Sequence, residues 1–414
     1  MRPLARRNRR LARRLTLAIA IAAVGGPAAA QEVEISGTLS QRFSYDSDLG
    51  LDGGGGAFTT NSSLGMRAEF ETEESSGSLS SAVSYRAVID DGDDGDDNGD
   101  LDGFRPNLNG RARFNLGRVL LTEAISFRLD NVAFTDFNVD GDVNPDGIFT
   151  DSDARRLDFS FTQGVGYALT QRNTLNFSAG VSITRFSDTD DELEDSDRFF
   201  GSIGLSRRVS PRLGLSISAG ATRFSSGSTD DETTGTSVGL NFGFNRALQE
   251  DVSLSGSVGL RYVRVQEEVS IFPFGTIESD ETNLGATGGF SFRYDVGETD
   301  LFAGLTQSVA PTEDGDVEES TTLSARVSHR INSRQSFGVN MSFTRRTNVT
   351  DTVGASTESD QEFFGQISPS FNYRLTENWN ANLGYAFRVS QDDDGSDVSN
   401  SVFLSFSRPL RIFP

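Results

Sequence analysis

The chain of 414 residues has no cysteine and no lysine, a net charge of −23 and a mean hydropathy of −0.36. That polarity excludes a helical membrane protein, which needs apolar runs of about 20 residues. The 32 phenylalanines, set in alternating apolar and polar patterns, exclude a disordered chain.

Residues 1–30 read as a secretory signal peptide: a basic MRPLARRNRRLARR, an apolar LTLAIAIAAVGG and a small-residue PAAA before Gln31. Cleavage after Ala30 removes seven arginines and takes the net charge from −23 to −30. Residues 31–414 read as one domain of period-two segments, each about ten residues long. Among the first are SLSSAVSYRAV and NLNGRARFNLG. Between them lies VIDDGDDGDDNGDLDG, Val88 to Gly103, with eight aspartates. No core can hold so many unpaired carboxylates, so this run is expected in a solvated loop that attracts divalent ions diffusely.

Further along, DVNPDGIFTDSD has the spacing of a calcium loop. Asp142, Asn144 and Asp146 would give side-chain oxygens, Ile148 its carbonyl, and Asp153 would close the site, with Gly147 at the tight turn. The pattern resembles the calcium loop of dockerin-type repeats, without flanking helices. Calcium is the one cofactor the sequence suggests, and a merely acidic loop is the alternative.

The next segments alternate clearly. Leu157, Phe159, Phe161, Val165, Tyr167 and Leu169 form one apolar row, and Leu175, Phe177, Ala179, Val181 and Ile183 another. Val238, Leu240, Phe242 and Phe244 follow, then Leu383, Tyr385, Phe387 and Val389. The intervening positions are mostly Ser, Gly, Asn and Thr, which would leave polar atoms unpaired in a dry core and cost nothing when facing water. Short turns near 71–77, 117–118, 170–173, 209–212, 247–251, 295–299, 332–334 and 376–378 alternate with long loops near 46–57, 89–106, 130–155, 187–197, 225–235, 266–281, 310–320, 346–361 and 390–398. Eighteen strands follow, or sixteen if one hairpin is misread. The pattern predicts an all-β, antiparallel, up-and-down transmembrane barrel with short periplasmic turns and long extracellular loops. Tyr167, Tyr294, Tyr373 and Trp379 fall near the short-turn side, and Tyr45, Tyr85 and Tyr262 near the long-loop side, as two interfacial girdles would.

These features together resemble the porin-like outer-membrane β-barrels of Gram-negative bacteria. The likeness is architectural and covers Glu32 to the C-terminus. It implies an outer-membrane location, contact with lipid and lipopolysaccharide, and periplasmic chaperones and the barrel assembly machinery as partners in biogenesis. Nucleic acid is not implied, and a homo-oligomer is left open. In such barrels the last strand usually ends in Phe or Trp; here Phe403, Phe406 and Phe413 are present, but Pro409 interrupts and Pro414 is last. The strand is expected either to end near Ser407 or to run edgewise past Pro409.

Barrel lipases and proteases need a histidine, and the single one, His329, falls on the lipid-type row near a short turn, so no enzyme is expected. A plug domain or a passenger has no room. The inward rows carry Arg42, Arg67, Arg86, Arg111, Arg113 and Arg128 on the first five strands, then Arg261, Arg293, Arg326 and Arg388. Strands six to ten read as a neutral wall until Arg208. A similar arginine wall in general porins faces acids of the third long loop, and residues 130–155 here carry seven aspartates. A passive channel for small hydrophilic solutes is therefore expected. The alternative is a surface-interaction barrel with a blocked lumen, serving attachment or polysaccharide export. Strand five poses one difficulty: inward arginines there set Glu123 on the lipid row.

Overall fold

The structure, a computed structural model, describes residues 32–47, 56–90, 103–131, 155–187, 195–227, 231–271, 275–311, 317–348, 361–391 and 395–413. The expected signal peptide, most of the Asp run and the calcium-type loop Asp142–Asp153 lie outside them.

Eighteen strands form one sheet. The first nine are β1 (Glu32–Asp46), β2 (Ala57–Glu71), β3 (Ser75–Asp90), β4 (Gly103–Leu116), β5 (Val119–Asn131), β6 (Arg155–Ala168), β7 (Asn173–Ser187), β8 (Ser196–Ser210) and β9 (Leu213–Gly227). The second nine are β10 (Asp231–Gln249), β11 (Val252–Ile271), β12 (Gly275–Val296), β13 (Thr299–Pro311), β14 (Val317–Asn332), β15 (Gln335–Asn348), β16 (Gln361–Arg374), β17 (Asn380–Gln391) and β18 (Ser396–Phe413). Each pairs antiparallel with its neighbours in sequence, and β18 pairs with β1 to close the ring. This is the transmembrane β-barrel expected, with eighteen rather than sixteen strands. Closure pairs the edges of β1 and β18, which hydrocarbon would not tolerate unpaired.

Alternation explains the two faces. Leu39, Leu64, Val83, Phe177, Leu240, Leu260 and Leu383 point outward and are exposed. The Ser, Gly and Asn rows between them line the lumen, where hydroxyls bond across strands, as in Ser40–Ser63, Ser178–Ser202 and Ser255–Ser291. Tyr45, Tyr85 and Tyr262 are exposed on the outer face toward the long-loop end, and Tyr167, Tyr294 and Trp379 toward the short-turn end. Tyr385 shares the upper row with Tyr45 through Val402. Two tight turns depend on glycine: Gly117 and Gly297 have φ of 70° and 65°, so a side chain there would be strained.

Several expected loops prove shorter: 310–320 narrows to the interval between Pro311 and Val317, and 390–398 to that between Gln391 and Ser396. Segment 266–281 is mostly strand, because β11 runs to Ile271 and β12 starts at Gly275. Segment 225–235 shrinks likewise between Gly227 and Asp231. Charges at both parities hid these strands, which extend above the row of Tyr262. There Arg264 donates to both oxygens of Asp280, at 2.9 and 2.6 Å, and this bonding holds the Asp280 carboxyl below the usual carboxylate range.

Strand β18 runs edgewise past Pro409, which aligns with Thr38 of β1. Pairing with β17 stops at Ser407, so the missing N–H costs no ladder bond on that side.

One region departs from a regular wall. The β12–β13 ladder ends at Gly288–Gln307, whereas β11–β12 continues to Ile271–Gly275 and β13–β14 to Pro311–Val317. Beyond Gln307 β13 separates from β12 and crosses the lumenal face of β11 and β12, while β14 stays paired with β15 as far as Glu318–Asn348. Val309 packs into the space left by lumen-facing Gly285, and with Val263, Val265 and Val317 forms a fully buried apolar cluster. Arg261 reaches across and donates to the Val309 carbonyl at 2.9 Å.

Candidate functional site

The lumen is the one concave space that eighteen strands create together, and its chemistry is uneven. Toward the long-loop end a cavity of about 1020 Å³ lies between β1–β6 and β15–β18. Arg42, Arg86, Arg105 and Arg128 line one side with Asp130 and Asp158; Asn340, Ser368, Asn372, Asn382 and Ser405 line the other. Asp130 pairs with Arg105 and, at 2.8 Å, with Arg128. Arg156 bonds Asp158 at 2.9 Å, and the Arg42 guanidinium lies 4.0 Å from the centre of the Phe403 ring. Five arginines against two aspartates leave this wall positive. A field of that sign in a confined aqueous space raises the local concentration of anions.

Toward the short-turn end a cavity of about 820 Å³ holds Arg111 and Arg113 beside Glu34, Glu69 and Glu71. Arg67 pairs with Glu69, two residues on and on the same face, at 2.5 Å. Charge is more balanced here.

All ten arginines named from the sequence occupy inward rows, but they do not make one wall. Arg42, Arg86 and Arg128 meet in the upper cavity, and Arg111 and Arg113 in the lower. The later four are spread out, each tied locally. Arg261 bonds Val309, Arg326 donates to Asn340 at 2.8 Å, and Arg293 sits 6.0 Å from the Phe302 ring. Arg388 pairs with buried Asp46 at 2.9 Å.

The expected neutral wall on strands six to ten also needs correction. Arg156 on β6 and Arg198 on β8 share the inward parity of Asp158 and Ser202. Arg105 and Arg346 are inward too. The signal was parity: counting back in twos from Arg111 reaches Arg105. Placing 89–106 in a loop, with Pro106 as its apparent boundary, hid it.

Glu123 does lie on the outer row, aligned with Gln163 on β6 and with Ala112 on β4. Gln163 is four residues above the interfacial Tyr167, which at a strand tilt near 40° is about 10 Å into the apolar band. His329 is likewise on the outer row and bonds Thr299 at 2.9 Å.

No protein-family profile matches the chain, and no curated protein matches it in sequence. Among solved structures, OpdQ of Pseudomonas aeruginosa is 12% identical, with a TM-score of 0.45, over 92% of this chain and 99% of its own. OccK2 (OpdF) of the same organism is 14% identical, with a TM-score of 0.45, over 93% and 100%. The ferric-catecholate import receptor Fiu from E. coli K12 is 10% identical, with a TM-score of 0.47, over 92% and 82%.

Proposed function

We propose that this protein is an outer-membrane channel through which small hydrophilic solutes diffuse passively, with anions favoured in its upper half. The observation that carries the reading is the polarised 1020 Å³ cavity, in which arginines of β1–β6 confront Asn and Ser of β15–β18. Small polar side chains cannot fill a lumen of this circumference, so water occupies it. The strongly acidic whole-chain charge argues for cations. Charges out on the rim, however, are screened beyond a Debye length of about 8 Å at physiological salt, while the lumenal arginines line the path itself.

The test is reversal potential across a salt gradient in a planar bilayer. The wild type is expected to conduct, and Arg42→Ser with Arg128→Ser, in the upper cavity, to shift selectivity toward cations. Conductance with no shift would mean that these arginines do not line the path.

A second reading, a barrel with a closed lumen, draws support from the inturned end of β13. It also draws support from the burial of lumen-facing Ser320, Ser342, Thr344 and Ser399. Absence of any conductance would favour it.

A further inference from the structure

The seam between β12 and β13 leaves two strand edges open. On β12 the edge has no ladder partner among the described residues from Gly275 to Thr287, because the last rung toward β13 is Gly288–Gln307. On β13, residues 308–311 likewise have no ladder partner on that side, although they stay paired with β14 as far as Pro311–Val317. Gln307, at the fork, donates to Glu319 of β14, so these two strands are tied where β13 leaves β12. Open edges of this kind are templates for a further strand.

The two edges match. Continuing the register rung by rung sets Thr287 against Ser308, Ala286 against Val309, Gly285 against Ala310 and Leu284 against Pro311. Val309 has the outer-row parity of Leu305, and Ala286 that of exposed Leu284, so in such a ladder both would face outward among apolar neighbours. Instead Val309 lies against the lumenal face of β12 and is 2% exposed. A Cβ on Gly285 would stand 3.2 Å from the Val309 Cβ and closer still to its Cγ2, so the approach depends on glycine. Val309 therefore already stands beside the rung it would join, one layer inward. Val263, Val265 and Val317 hold it there, with the Arg261 bond to its carbonyl. A valine suits either place, the buried cluster or the outer apolar row.

We propose that the β12–β13 seam is a two-position gate. Overlapped, as here, it puts a second layer inside the wall and narrows the upper lumen. Zipped, it returns β13 to the wall and widens that lumen. The exchange trades an apolar cluster and one charged hydrogen bond for ladder bonds along two open edges, and packed strands hold discrete arrangements of this kind. The conductance readout rests on the channel reading, whereas the position of the seam is read by chemistry alone.

Two cysteine pairs in the full-length protein, reconstituted in lipid vesicles, distinguish the positions. A disulfide needs Cα atoms within about 7 Å and side chains on one face. Gly285→Cys with Val309→Cys meets that condition only when overlapped, and Ala286→Cys with Val309→Cys only when zipped. Linkage is measured as loss of maleimide labelling after denaturation, and folding by heat-modifiable gel mobility. Both pairs are expected to link on oxidation. In planar bilayers the oxidised Ala286 pair is expected to conduct about twofold better than the oxidised Gly285 pair.

An Ala286 pair that stays reduced while the Gly285 pair links would overturn the second position. Equal conductance in the two oxidised forms would overturn the gate. Absence of conductance in every form would sink the channel reading and the gate with it, while two links would still establish two positions of the seam. Should a cysteine pair fail to fold, Gly285→Ala serves alone. It crowds Val309 out of the overlap and is expected to raise conductance, and unchanged conductance there would overturn the gate.

Discussion

Asp130 serves two arginines at once, and both stand in the upper cavity. Arg105 and Asp130 are nearly inaccessible, with side-chain exposures of 10% and 7%. Removing one member of such a pair leaves the other charge buried without a partner, which costs about 3 kcal/mol. Asp130→Ala is therefore expected to lower stability by about that amount in urea titration of the vesicle-embedded barrel. It should also move reversal potential toward anions, because the cavity gains a positive charge. Glu123 presents the opposite case, a carboxyl on the lipid face with no arginine in its row. Lipid-facing charges destabilise barrels in proportion to depth, carboxylates less than bases. Glu123→Leu is expected to stabilise the barrel by about 1–2 kcal/mol in the same titration. A neutral or destabilising result would show that the carboxyl has a partner in the membrane.

At the scale of strands and hairpins, most of the molecule was legible. Period-two patterning identifies strands wherever one face meets lipid and the other water, as in Leu157–Leu169 or Leu383–Val389. Two-residue turns with glycine at positive φ, at Gly117 and Gly297, mark the short end. Legibility failed where that contrast failed. Above the row of Tyr262 charges stand at both parities, so the tops of β11 and β12 read as loop. Val309 has outward parity, as Leu305 does, yet it is buried, because its strand leaves the wall and lays that face against β11 and β12. Alternation cannot report such a departure, since the local pattern is unchanged. The inturned end should set the width of the upper lumen. Arg261→Ala with Val309→Ser is expected to loosen it and raise single-channel conductance. Gly285→Cys with Val309→Cys brings together two positions about a disulfide apart and, oxidised, should hold conductance low even with Arg261→Ala. Equal conductance in all these forms would remove that end of β13 from the permeation path.

For the whole molecule, orientation is the first thing to establish, and the lack of native cysteine makes it accessible. An impermeant thiol reagent on intact cells is expected to label Gly395→Cys, in the β17–β18 connection at the end opposite the two-residue turns, and to spare Arg118→Cys, in the β4–β5 turn. The reverse pattern would invert the barrel and exchange the roles of its two cavities. Which arginines lie inside could be counted from parity, whereas their grouping could not. Arg42, Arg86, Arg105 and Arg128 come together only because four strands place them at one height, and Arg388 is excluded from that group by its bond to Asp46.

The pairing of β1 with β18 has a consequence for biogenesis. The first strand finds its final neighbour only when the last has been made, so every intermediate carries two raw edges. Twelve residue pairs, from Ile35–Phe413 to Asp46–Ser401, seal them in a single late event. A chain lacking those final residues would lose much more than one strand's share of bonding. It would be an open ribbon whose two margins each invite another chain, and its expected fate is aggregation in the periplasm instead of a slightly weakened barrel.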